Sequence, residues 1–271
     1  MAHQTLLLRE EAGVLHVTLN RPQVRNALNE RMVEELHAVL VDAELRSAVH
    51  GHVRAIVLRG AQGHFCAGAD LQDMANVRAH LGELGNSALT EMNASFGHLC
   101  LAYAQTPLAL VAVLEGTVMG GGLGLACVAD VAIASPTASF RLPETSLGVV
   151  PAQVAPFLVE RVGYSQARRL AVTGGRLNAQ QALALQLVHE VHEDAEMEAA
   201  LAHVLGDILR CAPGALAATK ALMAKARLRS PQSLVQEAAE VFTRAALGPE
   251  GTEGTLAFLQ KRRPGWVPEP H

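Results

Sequence analysis

Along roughly the first two thirds of the chain, short apolar runs alternate with segments whose apolar positions recur at helical spacing. Leu6-Leu7-Leu8 and Val14 to Leu19, separated by Glu10-Glu11-Ala12-Gly13, predict an opening hairpin of two strands. Asn29 then offers a side-chain cap to a helix whose Met32, Leu36, Val39, Leu40 and Ala43 share one face. Ala55 to Arg59 reads as a strand, a long helical region covers Leu84 to Tyr103, and Leu108 to Leu114 reads as a further strand. This alternation predicts an α/β fold with a mostly parallel sheet and helical crossovers.

From Gln153 onward helical patterns dominate. Asp194 is a candidate cap for a helix through Met197, Leu201, Val204, Leu205 and Ile208, and Ser230-Pro231 starts another through Leu234, Ala238, Val241 and Phe242. With no long linker, repeat or low-complexity tract, the chain divides into a core over residues 1–195 and a helical region over 196–271.

Composition narrows the function classes. The 271 residues are 50% hydrophobic but only 3% aromatic, so the core is expected to be built mainly from Ala, Leu and Val. A net charge of −4 argues against nucleic-acid binding. Cys66, Cys100, Cys127 and Cys211 show no metal-ligand spacing or disulfide framework and read as reduced, which fits a cytoplasmic protein. No apolar segment reaches the roughly 20 residues needed to cross a bilayer, and the histidines form no ligand set, so neither a membrane nor a metal is expected.

Two junctions carry candidate chemistry. Met119-Gly120-Gly121-Gly122-Leu123-Gly124 joins the Leu108–Leu114 region to a helix-compatible segment ending at Val128, and Phe65-Cys66-Ala67-Gly68-Ala69-Asp70-Leu71 follows the Ala55–Arg59 strand. A helix N-terminus presents backbone N–H groups that no carbonyl of that helix accepts, and glycine lets a ligand approach them. Each segment is thus able to aim one N–H at the same oxygen. A thioester carbonyl that becomes an enolate is such an oxygen.

Five ordered motifs resemble those of the crotonase (enoyl-CoA hydratase/isomerase) family over nearly the whole length. They are Leu19-Asn20-Arg21-Pro22 with Asn26-Ala27-Leu28; Phe65 to Leu71; Gly120-Gly121-Gly122 with Ala129-Asp130; Leu142-Pro143-Glu144 with Leu147-Gly148; and Phe258 to Pro264. The resemblance implies a ββα superhelix with a C-terminal helical trimerisation region, assembled as a homotrimer or dimer of trimers, and an acyl-CoA thioester substrate. It implies oxyanion donors on the N–H groups of Ala69 and Gly121 and a catalytic carboxylate at Glu144. It also implies substrate and CoA contacts at Arg25, Ala27, Ala67, Asp70, Leu71, Gly120, Gly124 and Lys261, with Lys261 reaching across a subunit boundary. No cofactor beyond the CoA of the substrate is implied.

The chain departs from the family pattern at one chemically decisive place. Typical family hydratases carry a second glutamate two residues after the glycine triplet; here that residue is Gly124. This, with Val150-Pro151-Ala152-Gln153-Val154-Ala155-Pro156-Phe157, resembles bacterial hydratases of isohexenylglutaconyl-CoA, in acyclic terpene breakdown, and of 3-methylglutaconyl-CoA, in leucine breakdown. A Δ3-Δ2 enoyl-CoA isomerase using one glutamate is an alternative, and a non-catalytic RNA-binding or scaffold trimer is an alternative of another class. The acyl pocket is expected from the Leu84–Tyr103 helix with Val149, Val154 and Phe157, Met92, Phe96 and Leu99 being read first as core. His64 and His98 match no family motif and are assigned no catalytic role.

Overall fold

The computed structural model describes residues 3–50, 52–79 and 87–268. The opening hairpin forms as the alternation predicts, β1 (Leu6–Glu11) pairing antiparallel with β2 (Val14–Leu19), Leu6 opposite Leu19. Asn29 caps α1 (Glu30–His50) through its Oδ1, which accepts from Met32 N at 3.0 Å. The five apolar positions named above all lie buried on α1. Glu35, on the same helix, is buried against the start of β1 and accepts hydrogen bonds from Gln4 N, Thr5 N, Thr5 Oγ1 and Arg31 Nε. Burial alone would raise its pKa, but those donors outweigh it and hold the carboxyl at about 2.

Strands β3 (Ala55–Gly60) and β4 (Ala109–Leu114) are followed by β6 (Val131–Ala134) and β9 (Glu190–Val191) in a six-stranded sheet of order β1-β2-β3-β4-β6-β9, parallel throughout after the first pair. Strand β4 is buried at every residue, as a central strand covered on both faces must be. A second sheet, of three strands of three residues each, places β7 (Ser139–Arg141) between β5 (Thr117–Met119) and β8 (Arg176–Asn178). The helices between them are α2 (Leu71–Ala79), α3 (Ser87–Gln105), α4 (Gly121–Val128), α5 (Ala155–Thr173) and α6 (Ala179–Ala184). Leu84, at the start of the expected long helix, lies outside the described residues.

The last helices are α7 (Met197–Arg210), α8 (Pro213–Ala226), α9 (Pro231–Leu247) and α10 (Pro249–Leu259). Met197, Leu201 and Val204 of α7 pack against Val57, Val111 and Ile133 of the large sheet, Leu216 of α8 borders the same cluster, and Lys220 of α8 donates to Leu108 O at 2.6 Å. Two details of the expected helix starts differ. The N-cap of α7 is Glu196, because Asp194 Oδ1 is taken by Ser135 Oγ, and the Ser230 side chain makes no capping bond although Pro231 does open α9. On α9 Leu234 is buried, but Phe242 is 73% exposed since, among the described residues, no element covers that side. Among the described residues, no single helix is long and apolar enough to cross a membrane.

Candidate active site

The site grows from three chain segments that backbone hydrogen bonds hold in register. Leu28 forms a parallel bridge to Ala69: its N–H donates to Gly68 O at 2.7 Å and its C=O accepts from Asp70 N at 2.8 Å. The residue between those two, Ala69, therefore turns its own N–H to the opposite edge. On that edge Cys66 bridges Val118 of β5, and the chain continues from β5 into α4. Gly68, at φ +91°, is pressed so close that a Cβ there would lie 3.0 Å from Met119 O and 3.4 Å from Gly121 N.

The first turn of α4 supplies the second donor. Gly121 N would need Thr117 O to continue a helical ladder, and that oxygen accepts from Cys66 N. Among the described residues neither Ala69 N nor Gly121 N has an acceptor. Two main-chain N–H groups fifty-two positions apart in the sequence thus lie unpaired at one edge, at the positive end of a helix.

The acid arrives through the small sheet. Met119 pairs with Arg141, and Gly120 N donates to Arg141 O at 3.1 Å, which fixes the start of Leu142-Pro143-Glu144 beside the glycine triplet. Glu144 opens a single 3-10 turn ending at Gly148. A Cβ on Gly120 would fall 2.8 Å from Glu144 Oε1, so this position, at φ +50°, accepts no side chain. Glu144 Oε2 is buried with no hydrogen-bond partner. Burial pushes the Glu144 carboxyl above the usual carboxylate range, opposed only in part by a hydrogen bond from its own backbone.

The wall beyond α4 is apolar. Gly124 is buried, and the space a Cβ would enter is bounded by Val154 Cγ2 at 3.2 Å and Phe96 Cζ at 3.4 Å. The Phe96 ring also reaches Gly121, where a Cβ would meet Cζ at 3.2 Å and Leu28 Cδ1 at 2.9 Å. Phe96 is packed against the core as expected and also borders Gly121 and Gly124, and Leu99 is fully buried. Phe157 lines a different cavity, shared with Cys127, Arg161 and Met223.

Comparison with known proteins decides the class. A family model described as enoyl-CoA hydratase/isomerase matches residues 9–269. The solved structure of Pseudomonas aeruginosa AtuE is 51% identical with a TM-score of 0.92, covering 98% of this chain and all of its own. An enoyl-CoA hydratase/isomerase structure from Marinobacter aquaeolei is 46% identical with a TM-score of 0.92, covering 97% of this chain and 99% of its own. A 2,3-dehydroadipyl-CoA hydratase of Escherichia coli K12 is 32% identical over 265 residues, 96% of this chain and 97% of the relative. The chain belongs to the crotonase, or enoyl-CoA hydratase/isomerase, family.

This crotonase is thus an enzyme of the hydratase/isomerase type that acts on acyl-CoA thioesters. The structure brings together Ala69, Gly120, Gly121, Gly124 and Glu144 of the residues singled out from its sequence, with Ala67 and Ala27 adjoining. Arg25 is exposed in a left-handed turn, φ 50°, its carbonyl accepting from Ala67 N at 3.0 Å. Leu71 is 61% exposed at the start of α2. Asp70 has its side chain committed internally: Oδ2 pairs with Arg21 Nη2 at 2.9 Å and Oδ1 accepts from Gln72 N at 3.0 Å. Lys261 lies exposed beyond α10 at a left-handed φ of 54°.

One organising residue stands in a quoted motif that assigns it no role. Asn26, fully buried, accepts from Arg21 N at 2.9 Å and donates to Ala61 O at 3.1 Å and His64 O at 2.6 Å. It ties the Arg21–Ala27 turn to the loop that leads to Ala69. Its place in Asn26-Ala27-Leu28 is the signal that marks it in the sequence, and in the fold it takes a left-handed φ of 57°. His64 is structural too, its Nδ1 accepting from Thr117 N at 3.1 Å.

Proposed function

We propose that this crotonase is a hydratase of 3-substituted glutaconyl-CoA, with isohexenylglutaconyl-CoA or 3-methylglutaconyl-CoA as its substrate. The observation that carries the reading is a single carboxylate, Glu144, with a buried Oε2 that has no partner, beside a glycine triplet after which Gly124 is walled by Val154 and Phe96 where a second acid would stand. The thioester oxygen lies between the N–H groups of Ala69 and Gly121. Ionised Glu144 takes a proton from water as the water oxygen bonds to the β-carbon, and the electron pair moves to the thioester oxygen as an enolate. Protonated Glu144 then returns that proton to the α-carbon, and the carbonyl re-forms. An alkyl-substituted β-carbon tolerates the positive charge that develops during attack, which suits a site with a single acid. The E. coli relative is by name a hydratase of another enoyl-CoA whose acyl chain ends in a second carboxyl.

In this reading no resident cofactor takes part. Arg25, Ala27, Ala67, Leu71 and the backbone of Asp70 border the CoA, Gly120 and Gly124 border the acyl group, and Lys261 reaches the CoA phosphates of a neighbouring subunit. The chain assembles as a trimer or a dimer of trimers through its last helices, whose Phe242, Leu247, Phe258 and Leu259 are 73–83% exposed in the single chain. Light scattering checks the assembly. Activity is tested with isohexenylglutaconyl-CoA, 3-methylglutaconyl-CoA, crotonyl-CoA and a 3-enoyl-CoA. Hydration preferring the first two is expected; double-bond migration in the last without hydration would replace the hydratase by an isomerase.

A further inference from the structure

Beside Phe96 and Val154 lies a polar pair that the hydration chemistry leaves without a task. Gln153, the residue before Val154, lays its side chain over Gly97 of α3, so closely that a Cβ at Gly97 would stand 2.2 Å from Gln153 Oε1. The same amide donates from Nε2 to Asn93 Oδ1 at 2.9 Å. Asn93 and Gly97 are four residues apart on α3 and share a face, with Phe96 beside them. Phe96 and Val154 are the two residues that close on Gly124, so the amide pair borders the apolar wall, one helical turn from the Phe96 position.

Two primary amides carry four N–H bonds, and the Gln153–Asn93 contact uses one. Among the described residues the other three have no acceptor, and Asn93 is exposed. Neutral donors of this kind suit a carboxylate that must arrive and leave with each turnover, since the empty site strands no charge.

We propose that Asn93 and Gln153 are the specificity-determining pair that reads the second carboxylate of a dicarboxylic acyl-CoA. The inference rests on the glutaconyl reading above and names the residues that recognise the distal group.

A binding measurement tests it separately from catalysis, and turnover kinetics follow. Binding of glutaryl-CoA and of butyryl-CoA, saturated thioesters differing in the distal carboxyl, is measured by calorimetry on the wild type and on Gln153→Glu and Asn93→Leu. The wild type is expected to bind glutaryl-CoA about tenfold or more tightly than butyryl-CoA, and each variant to lose most of that preference. In turnover, KM for 3-methylglutaconyl-CoA is expected to rise about tenfold to a hundredfold, with kcat and the 3-methylcrotonyl-CoA kinetics nearly unchanged. A wild type with no binding preference, or variants that weaken both thioesters alike, overturns the proposal. A wild type that prefers glutaryl-CoA yet hydrates no glutaconyl substrate keeps the recognition and removes the reaction. Thermal melts of both variants verify the fold.

Discussion

Two glutamates sit withdrawn from solvent in this molecule, and their surroundings send them in opposite directions. Glu35, where α1 meets the start of β1, is ringed by four donors, and its carboxyl is held at about 2. Glu144, at the end of the segment after β7, has a buried oxygen with no donor and a carboxyl raised by burial. Desolvation disfavours the charged form in both places, so the hydrogen bonds decide the outcome. A satisfied buried carboxylate fastens one element to another. An unsatisfied one has lone pairs still to offer a proton, which is the state a group that exchanges protons with a bound substrate requires.

The sharpest way to break this contrast is to exchange each carboxyl for an amide. Glu144→Gln leaves the size and the 3-10 turn intact and removes the ionisable group. Hydration kcat is expected to fall by about a hundredfold to ten-thousandfold, while the thermal midpoint stays or rises because no buried charge remains to be desolvated. Steady-state kinetics with a parallel melt measures both, and near-wild-type turnover would take Glu144 out of the chemistry. Glu35→Gln should do the reverse. Stability is expected to drop by about 2 to 3 kcal/mol, since donors around a buried charge lose their shared acceptor, and kcat of the surviving folded fraction should not move. Denaturant titration reads the first and active-site-normalised kinetics the second.

The two glutamates were not equally legible in the sequence. Glu144 stands in an ordered set of motifs, and so do the donors at Ala69 and Gly121; local spacing and resemblance sufficed to single them out. The hairpin, the Asn29 cap and the buried face of α1 were legible for a similar reason, because alternation, a capping residue and a helical repeat are local signals. Glu35 lies on that same α1 face among apolar neighbours, and nothing near it in sequence announces that Gln4 and Thr5 turn back to meet it. Asn26, the Arg21–Asp70 pair and the Gln153–Asn93 contact were hidden likewise, as each depends on residues brought together by tertiary packing. The small sheet was missed because strands of three residues are too short to show a period.

A smaller effect sharpens the comparison from the other side of the cleft. Gly124→Glu supplies the acid that typical family hydratases carry, but its side chain must enter space bounded by Val154 Cγ2 at 3.2 Å and Phe96 Cζ at 3.4 Å. Overpacking of this kind typically costs about 1 to 3 kcal/mol. The single variant is expected to lose stability in that range and to turn over its glutaconyl substrate more slowly. Adding Val154→Ala to it should recover most of the stability and raise activity on crotonyl-CoA. Should the single variant be as stable as the wild type, the apolar wall would be looser than these contacts imply.

The gentlest probe is pH, where the opposite shifts predict that folding and activity part company. Glu35 falls from 4.5 to about 2, so its contribution to stability is complete above the unfolded value and is lost as pH drops from about 4.5 towards 2. Glu144 is raised, and in the proposed mechanism it must be ionised to accept the proton of water. Hydration kcat/KM should therefore decline with falling pH at a point above the ordinary carboxylate value of 4.5, while Glu35 still stabilises the fold. A window of reversible inactivation in folded protein is the expected result, seen as lost kcat/KM with unchanged circular dichroism and recovered on returning to neutral pH. In Glu144→Gln that acidic limb should vanish from the residual activity. If loss of activity and loss of structure coincide in the wild type, the raised carboxyl of Glu144 does not govern the reaction.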